Sequence, residues 1–386
     1  MKKLLFMIIV SSLFAFCGPQ KAEWGGTIEE VDGVTIVKNP NEGIWDSKEN
    51  GNVTISQELK IGQLDGPDEF LFVNIADVAV NSKGDIYVAD SRLNEIRKFN
   101  KGGEYLLTIG RPGQGPGEFQ SVSNLTMNNR DDLIAFDAIP RRFSVFSDNG
   151  EYKTTQQSMM DLSIAPSKIF VTNEGYIFFG KADNSLELFH EFDQDWNLTK
   201  SAIDYEFIDN REFEEVSLIF NPGYCFFQEN GNILYTKYHY DNQILSYKNG
   251  ELEKIIRKEA DIIKPYEIIV FHDMNKAVNM QKDPKYQDYD IGLFGPGIAF
   301  FGISFQNSLG LFQLSDGHIV NFISTRKSKD VRELGVELYD SEGRFLKYAK
   351  LGDNLDYDIR CKDSSDLFYA IDRKEYHKVI TFRLGY

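Results

Sequence analysis

Three features of the sequence predict an all-β fold built from repeated four-stranded units closed into a ring. A phrase of strand, turn, strand, loop, strand, Gly turn and strand recurs about every 47 residues, first over Asp77–Gly110 and again over Asn124–Thr155. Aromatic residues are abundant, with 30 Phe and 19 Tyr, and Gly outnumbers Pro 31 to 11, as many short strands joined by tight turns require. Asn52–Gly62 reads as a lone strand whose Ile61-Gly62 matches the Ile109-Gly110 that ends the first full unit. The two ends of the chain are therefore expected to share one unit.

At the N-terminus, Lys2 and Lys3 precede the apolar run Leu4–Phe16, whose 13 residues suit a signal-peptide core. The run is too short to span a bilayer, which takes about 20 residues. Cys17 follows it, ahead of the Gly, Pro and Gln of residues 18–20, which suit a flexible tether. The run with its cysteine resembles the lipobox of bacterial lipoproteins. That resemblance implies an exported chain anchored in the cell envelope, facing the periplasm or on the outer membrane, through a lipid on Cys17. The expected division is a signal peptide over 1–17, a tether and N-terminal segment over 18–50, and one repeat domain over 51–386.

Within that domain the first unit places strands near Ile75–Val80, Asp85–Ala89, Glu95–Phe99 and Tyr105–Ile109. The second places them near Asn124–Met127, Leu133–Phe136, Phe143–Phe146 and Tyr152–Thr155. The last hairpin turn of each unit sets the register: Gly103-Glu104-Tyr105, Gly150-Glu151-Tyr152, Trp196-Asn197-Leu198, Gly250-Glu251-Leu252 and Gly343-Arg344-Phe345. These define five units, and Asp358–Leu384 supplies three strands of a sixth. With Asn52–Gly62 as its fourth strand, the count is a six-bladed β-propeller whose N-terminal strand closes the last blade.

Two insertions interrupt the period. One is 204–223, between blades three and four. The other is 261–294, between blades four and five, where Gly250 and Gly343 lie 93 residues apart. A seventh blade is the rival explanation of that gap. The helical spacing of Tyr266, Ile269, Val270, Met274, Ala277 and Val278 within Lys264–Gln281 favours an inserted helix. Both insertions belong to the connections that share a face with the loops between second and third strands, so they are expected to cap that face.

The phrases RPGQGPGEF (Arg111–Phe119) and DIYVAD (Asp85–Asp90) are similar to those of NHL-repeat propellers. With the lipobox-like start and six units, the chain resembles the bacterial six-bladed β-propeller lipoproteins. What that resemblance implies is a ring used as a binding platform; a minority of related propellers are hydrolases or lyases with a metal in the central channel.

The residues themselves speak against familiar catalytic chemistry. No G-x-S-x-G, H-E-x-x-H, P-loop or C-x-x-C is present. Five histidines, His190, His239, His272, His318 and His377, are scattered without metal-ligand spacing. Asp193, Asp195, Asn197 and Asp204 imitate a calcium loop but coincide with a hairpin turn, and the glycines of Gly110–Gly117 join two strands instead of opening a helix. Cys225 and Cys361 are expected on inner strands two blades apart, too far for a disulfide. A net charge of −17 disfavours nucleic acid and anionic lipid surfaces as partners.

The expected function is a non-catalytic, monomeric binding platform for a glycan, a peptide or an envelope protein, needing no cofactor and touching the membrane only through its anchor. Its expected ligand-binding residues lie in the loops between second and third strands: Arg92, Asn94, Arg141, Arg142, Tyr238, His239, Tyr240 and Asp241. Arginines and tyrosines there suit carboxylates or sugar rings. The alternative is a calcium-type hydrolase or lyase with Asp77, Asn124 and Asp358 converging on the channel.

Overall fold

The computed structural model describes residues 24–46, 52–157, 166–180, 187–204, 223–228, 230–259, 266–271, 273–280, 282–286, 289–294, 298–328, 330–355 and 357–386. The first strands among the described residues are β1 (Thr27–Val31), β2 (Val34–Asn39) and β3 (Thr54–Ile61). Blade one is β4 (Ile75–Val80), β5 (Ile86–Asp90), β6 (Glu95–Phe99) and β7 (Tyr105–Ile109). Blade two is β8 (Val122–Met127), β9 (Leu133–Asp137), β10 (Arg142–Phe146) and β11 (Tyr152–Gln157). Blade three is β12 (Lys168–Val171), β13 (Gly175–Phe179), β14 (Glu187–Asp193) and β15 (Leu198–Asp204). Blade four is β16 (Tyr224–Phe227), β17 (Ile233–Thr236), β18 (Gln243–Lys248) and β19 (Glu251–Lys258).

The insertion after blade four holds β20 (Tyr266–Phe271), a short helix α1 (Met274–Met280), β21 (Asp290–Phe294) and β22 (Ile298–Ser304). Blade five is β23 (Gln306–Gln313), β24 (Ile319–Arg326), β25 (Arg332–Tyr339) and β26 (Phe345–Asp353). Blade six takes β27 (Tyr357–Lys362), β28 (Phe368–Asp372) and β29 (Lys378–Gly385) from the C-terminus, and β3 from the N-terminus as its outer strand. The fold is thus an all-β six-bladed propeller of antiparallel four-stranded sheets. The closing pair runs from Val379↔Ile61 to Gly385↔Thr54, where the lone strand was expected.

The aspartate that ends each clear repeat phrase is a staple. Asp90, fully buried, accepts the backbone N–H groups of Val73 (2.7 Å), Asn74 (3.2 Å), Arg92 (3.0 Å) and Leu93 (3.1 Å). Asp137 accepts those of Gln120 and Ser121, the latter at 2.6 Å. One carboxylate at Asp90 therefore satisfies both the loop between second and third strands and the entry to the blade. The last hairpins use the same economy. Asn100, Asp193 and Asp340 each accept two N–H groups of their own turn through one side-chain oxygen. Asp193 so caps Asp195 and Asn197, and Trp196 stands at φ 65° where other blades have glycine. The calcium-loop look-alike is that turn.

The core is a set of layers between neighbouring blades. Phe312, Phe322, Phe368 and Phe382 pack between blades five and six, with ring centroids 5.1–5.8 Å apart along Phe322–Phe368, Phe312–Phe368, Phe368–Phe382 and Phe322–Phe382.

Two elements differ from expectation. The long interval contains a separate three-stranded antiparallel sheet in the order β20-β22-β21, which accounts for the gap without a seventh blade. A helix is present, but only over Met274–Met280; Tyr266–Phe271 is a strand. The β-branched run Ile268-Ile269-Val270 beside an aromatic explains the difference, since such residues lose rotamer freedom in a helix and suit a pleated strand. Residues 205–222 of the other insertion lie outside the described residues. The second difference is at the N-terminus. Part of the expected tether forms a hairpin, β1–β2, whose β2 runs parallel to β19 and widens blade four to six strands.

Candidate functional site

The inner strands β4, β8, β12, β16, β23 and β27 surround a central cavity of about 430 Å³, to which all six contribute. Four of them slip register at one level, between Ile75 and Asp77, Val122 and Asn124, Ser308 and Gly310, and Ile359 and Cys361. A bulge leaves one residue unpaired and re-aims its side chain. The residues passed over are Ala76, Ser123, Leu309 and Arg360, and the first two and the last line the cavity.

Arg360 organises this layer. Its Nε donates to Asp77 Oδ1 at 2.8 Å, and its Nη1 lies 3.4 Å from both oxygens of Asp358. Arg373 approaches Asp358 Oδ2 from the other side at 3.1 Å. The second oxygen of Asp77 accepts the N–H of Leu125 at 2.9 Å, so this buried carboxylate ties blades six, one and two together. Burial works to raise the Asp358 carboxyl, but Arg360 and then Arg373 outweigh it and hold the group below its usual range. Across the ring, Lys168 extends from β12 of blade three and donates to the backbone oxygen of Arg360 at 2.7 Å. Cys225 and Cys361 are free thiols on β16 and β27 that also line the cavity, and burial pushes both thiols up.

The residues of the calcium reading thus meet differently from that expectation. Asp77 and Asp358 come together through a guanidinium that supplies the positive charge between them. Asn124 lines the cavity, its Oδ1 accepting the Ser123 hydroxyl at 2.9 Å. Calcium at Asp77 and Asp358 requires Arg360 to move aside. Among the described residues no three His, Cys, Asp or Glu side chains cluster as a metal site.

The eight loop residues divide. Arg92 is exposed, and Asn94 and Arg141 hold positive φ of 55° and 53° in the loops of blades one and two. Arg142 instead clamps the connection between those blades, donating to the backbone oxygens of Gln114 (2.8 Å) and Glu118 (2.6 Å) and pairing with Asp137 at 3.5 Å. Tyr240 is buried, its hydroxyl donating to Glu337 Oε2 at 2.6 Å. These two are structural, because a loop residue beside a neighbouring blade finds carbonyls and carboxylates there before it finds solvent.

Tyr238 and His239 pack edge to face at 5.2 Å, with the Tyr238 hydroxyl accepting Asn307 Nδ2 at 3.3 Å. Burial pushes the His239 imidazole down to about 4, so it is neutral at physiological pH. Asp241 pairs with Lys237 at 3.3 Å. Sequence reasoning missed Lys168 and Arg360. The signal was weak: in Asp358-Ile359-Arg360-Cys361-Lys362 the charges fall where ordinary strand alternation puts polar residues, and only the place of Arg360 on an innermost strand, facing the channel, sets it apart.

Solved structures share this architecture. A protein of Bacteroides fragilis described as exported is 14% identical, with a TM-score of 0.54 over 91% of this chain and 100% of its own. A member of the DUF4221 family from Bacteroides vulgatus is 10% identical, with a TM-score of 0.55 over 86% of this chain and 98% of its own. A gluconolactonase of Xanthomonas campestris, 9% identical, has a TM-score of 0.45 over 81% of this chain and 87% of its own. At these identities the likeness to the two Bacteroides proteins is one of fold alone. No curated protein matches the chain. The family described as 6-bladed beta-propeller, DUF5128, matches residues 38–285, well over half of the sequence, and the chain belongs to it.

Proposed function

We propose that the protein is an exported, lipid-anchored propeller that acts as a non-catalytic receptor in the cell envelope, taking its ligand at the central channel and the loop face around it. The observation that supports this reading is the pairing of the charged groups at the channel. Asp77, Asp358, Arg360 and Arg373 neutralise one another through direct contacts of 2.8–3.4 Å. General acid–base or metal chemistry needs a carboxylate or imidazole poised toward substrate. Here the carboxylates face arginines, while the cavity beside them remains large enough for a small molecule or a peptide side chain. Cys17 carries the anchor in this reading, and the partner is a glycan, a peptide or an envelope protein.

The test is the thermal midpoint of the chain with calcium, zinc, chelator and panels of glycans, peptides and small metabolites. A rise with one organic class and none with metals supports a receptor, because a ligand that binds only the folded state stabilises it. A calcium-dependent rise that disappears in Asp77→Asn/Asp358→Asn would overturn it in favour of the metal enzyme. For the anchor, Cys17→Ala is expected to abolish incorporation of labelled palmitate and release the protein from the membrane fraction.

A further inference from the structure

Among the described residues, the lining of the channel cavity contains three cationic side chains, Lys168, Arg360 and Lys362, and no Asp or Glu. That is a local reversal in a chain with 59 acidic and 42 basic residues. Two of the three cations are matched from behind: Arg360 by Asp77 and Asp358, and Lys362 by Asp366 at 2.7 Å. Lys168 is not. Among the described residues its ammonium has one hydrogen bond, to the Arg360 carbonyl, and no carboxylate within 4.0 Å. An ammonium has three N–H donors and no acceptor, so two donors stay available toward the cavity. The rest of the wall is largely apolar, with Phe170, Phe226 and Phe312 contributed by blades three, four and five.

We infer that the channel is a seat for the anionic head of an amphipathic organic acid, held by Lys168 beside Arg360, with its apolar body against Phe170, Phe226 and Phe312. This deepens the receptor reading and rests on it. A neutral glycan fits the same walls less well, because its many hydroxyls need partners that aromatic faces do not supply. A carboxylate gains a charge-assisted hydrogen bond at the unmatched ammonium, and its chain or ring replaces water on apolar surface.

The probes are octanoate and 4-phenylbutyrate, each compared with its uncharged amide, titrated against the full chain carrying Cys17→Ala so that Cys225 and Cys361 are its remaining thiols. The acids are expected to raise the thermal midpoint and the amides to do so far less. Lys168→Met is expected to weaken acid binding by about tenfold or more, the scale of one lost charged hydrogen bond, and Lys168→Arg to retain most of it. A second readout needs no variant at Lys168: both thiols line the same cavity, and since burial holds them protonated their alkylation by iodoacetamide is followed at about pH 9, where bound acid should slow it relative to the ligand-free chain.

Equal shifts by acid and amide, or unprotected thiols at saturating acid, would overturn the anion seat. If the acids fail while a glycan or peptide stabilises the chain, the seat falls and the receptor reading stands. If an acid binds and is chemically consumed, the seat stands and the non-catalytic reading falls.

Discussion

Arg360 shows how one side chain sets the character of the channel. A guanidinium between two buried or half-buried carboxylates is costly to remove, because its loss leaves Asp77 charged and unmatched in the interior. Arg360→Met is expected to destabilise the fold by about 3–5 kcal/mol in urea unfolding. Adding Asp77→Asn should recover part of that loss; a double variant as unstable as the sum of the singles would mean that the pair is not coupled. The pH dependence comes from Asp358, whose folded-state carboxyl is held below its usual range. Its contribution is present above the unfolded carboxyl pKa of about 4 and is lost as pH falls below it. Thermal midpoints should therefore drop more steeply below about pH 4 in the native chain than in Asp358→Asn. These pairings were not legible in the sequence, since Asp77 and Arg360 lie 283 residues apart and meet only when the ring closes.

At the scale of elements, the N-terminal hairpin binds blade four to blade five through one residue. Asn39, on the parallel strand beside β19, donates from Nδ2 to the Gly343 carbonyl at 2.9 Å. Its Oδ1 accepts the Phe345 N–H at 2.7 Å and the Trp24 indole at 3.0 Å. Asn39 is buried, and Asn39→Ala would leave the Phe345 N–H and the Gly343 carbonyl without these partners, at roughly 1–3 kcal/mol for each orphaned group. Urea unfolding should register that loss, and Asn39→Asp should be no milder, because it buries a charge and sets a carboxylate oxygen against the Gly343 carbonyl. An unchanged midpoint in Asn39→Ala would show that the hairpin is not held there.

The strands of this hairpin escaped the sequence reading for a physical reason. TIEEV and VTIVKN are adequate strands, but they stand outside the repeat, and a strand's existence depends on the edge that receives it. The blade strands were legible because each hairpin carries its own Gly, Asn or Asp turn. At Tyr266–Phe271 a helical spacing and a β-branched run competed within six residues, and periodicity alone does not separate them.

The ring as a whole was legible before any contact was known, because an unfinished C-terminal unit and a lone N-terminal strand share one phrase. Their pairing makes the closure between β3 and β29 the link that holds the molecule as one cooperative body. Seven residue pairs join them, and Ile61 is buried against blades six and one. Without β3, the β29 edge stands open with unpaired backbone groups, and an uncovered edge recruits other chains. A chain beginning at residue 67, which lacks β3, is therefore expected to aggregate and to lose a single sharp thermal transition. A chain beginning at residue 52 keeps β3 but loses the β1–β2 hairpin together with Ile44 and Trp45, which pack against blades five and six, so it should unfold cooperatively at a lower temperature. Calorimetry with light scattering separates the two. Equal midpoints with no aggregation in the shorter chain would mean that packing between blades, and not strand closure, holds the ring. In that case the central cavity would survive an open sixth blade, and binding measured in both truncations would remain the same.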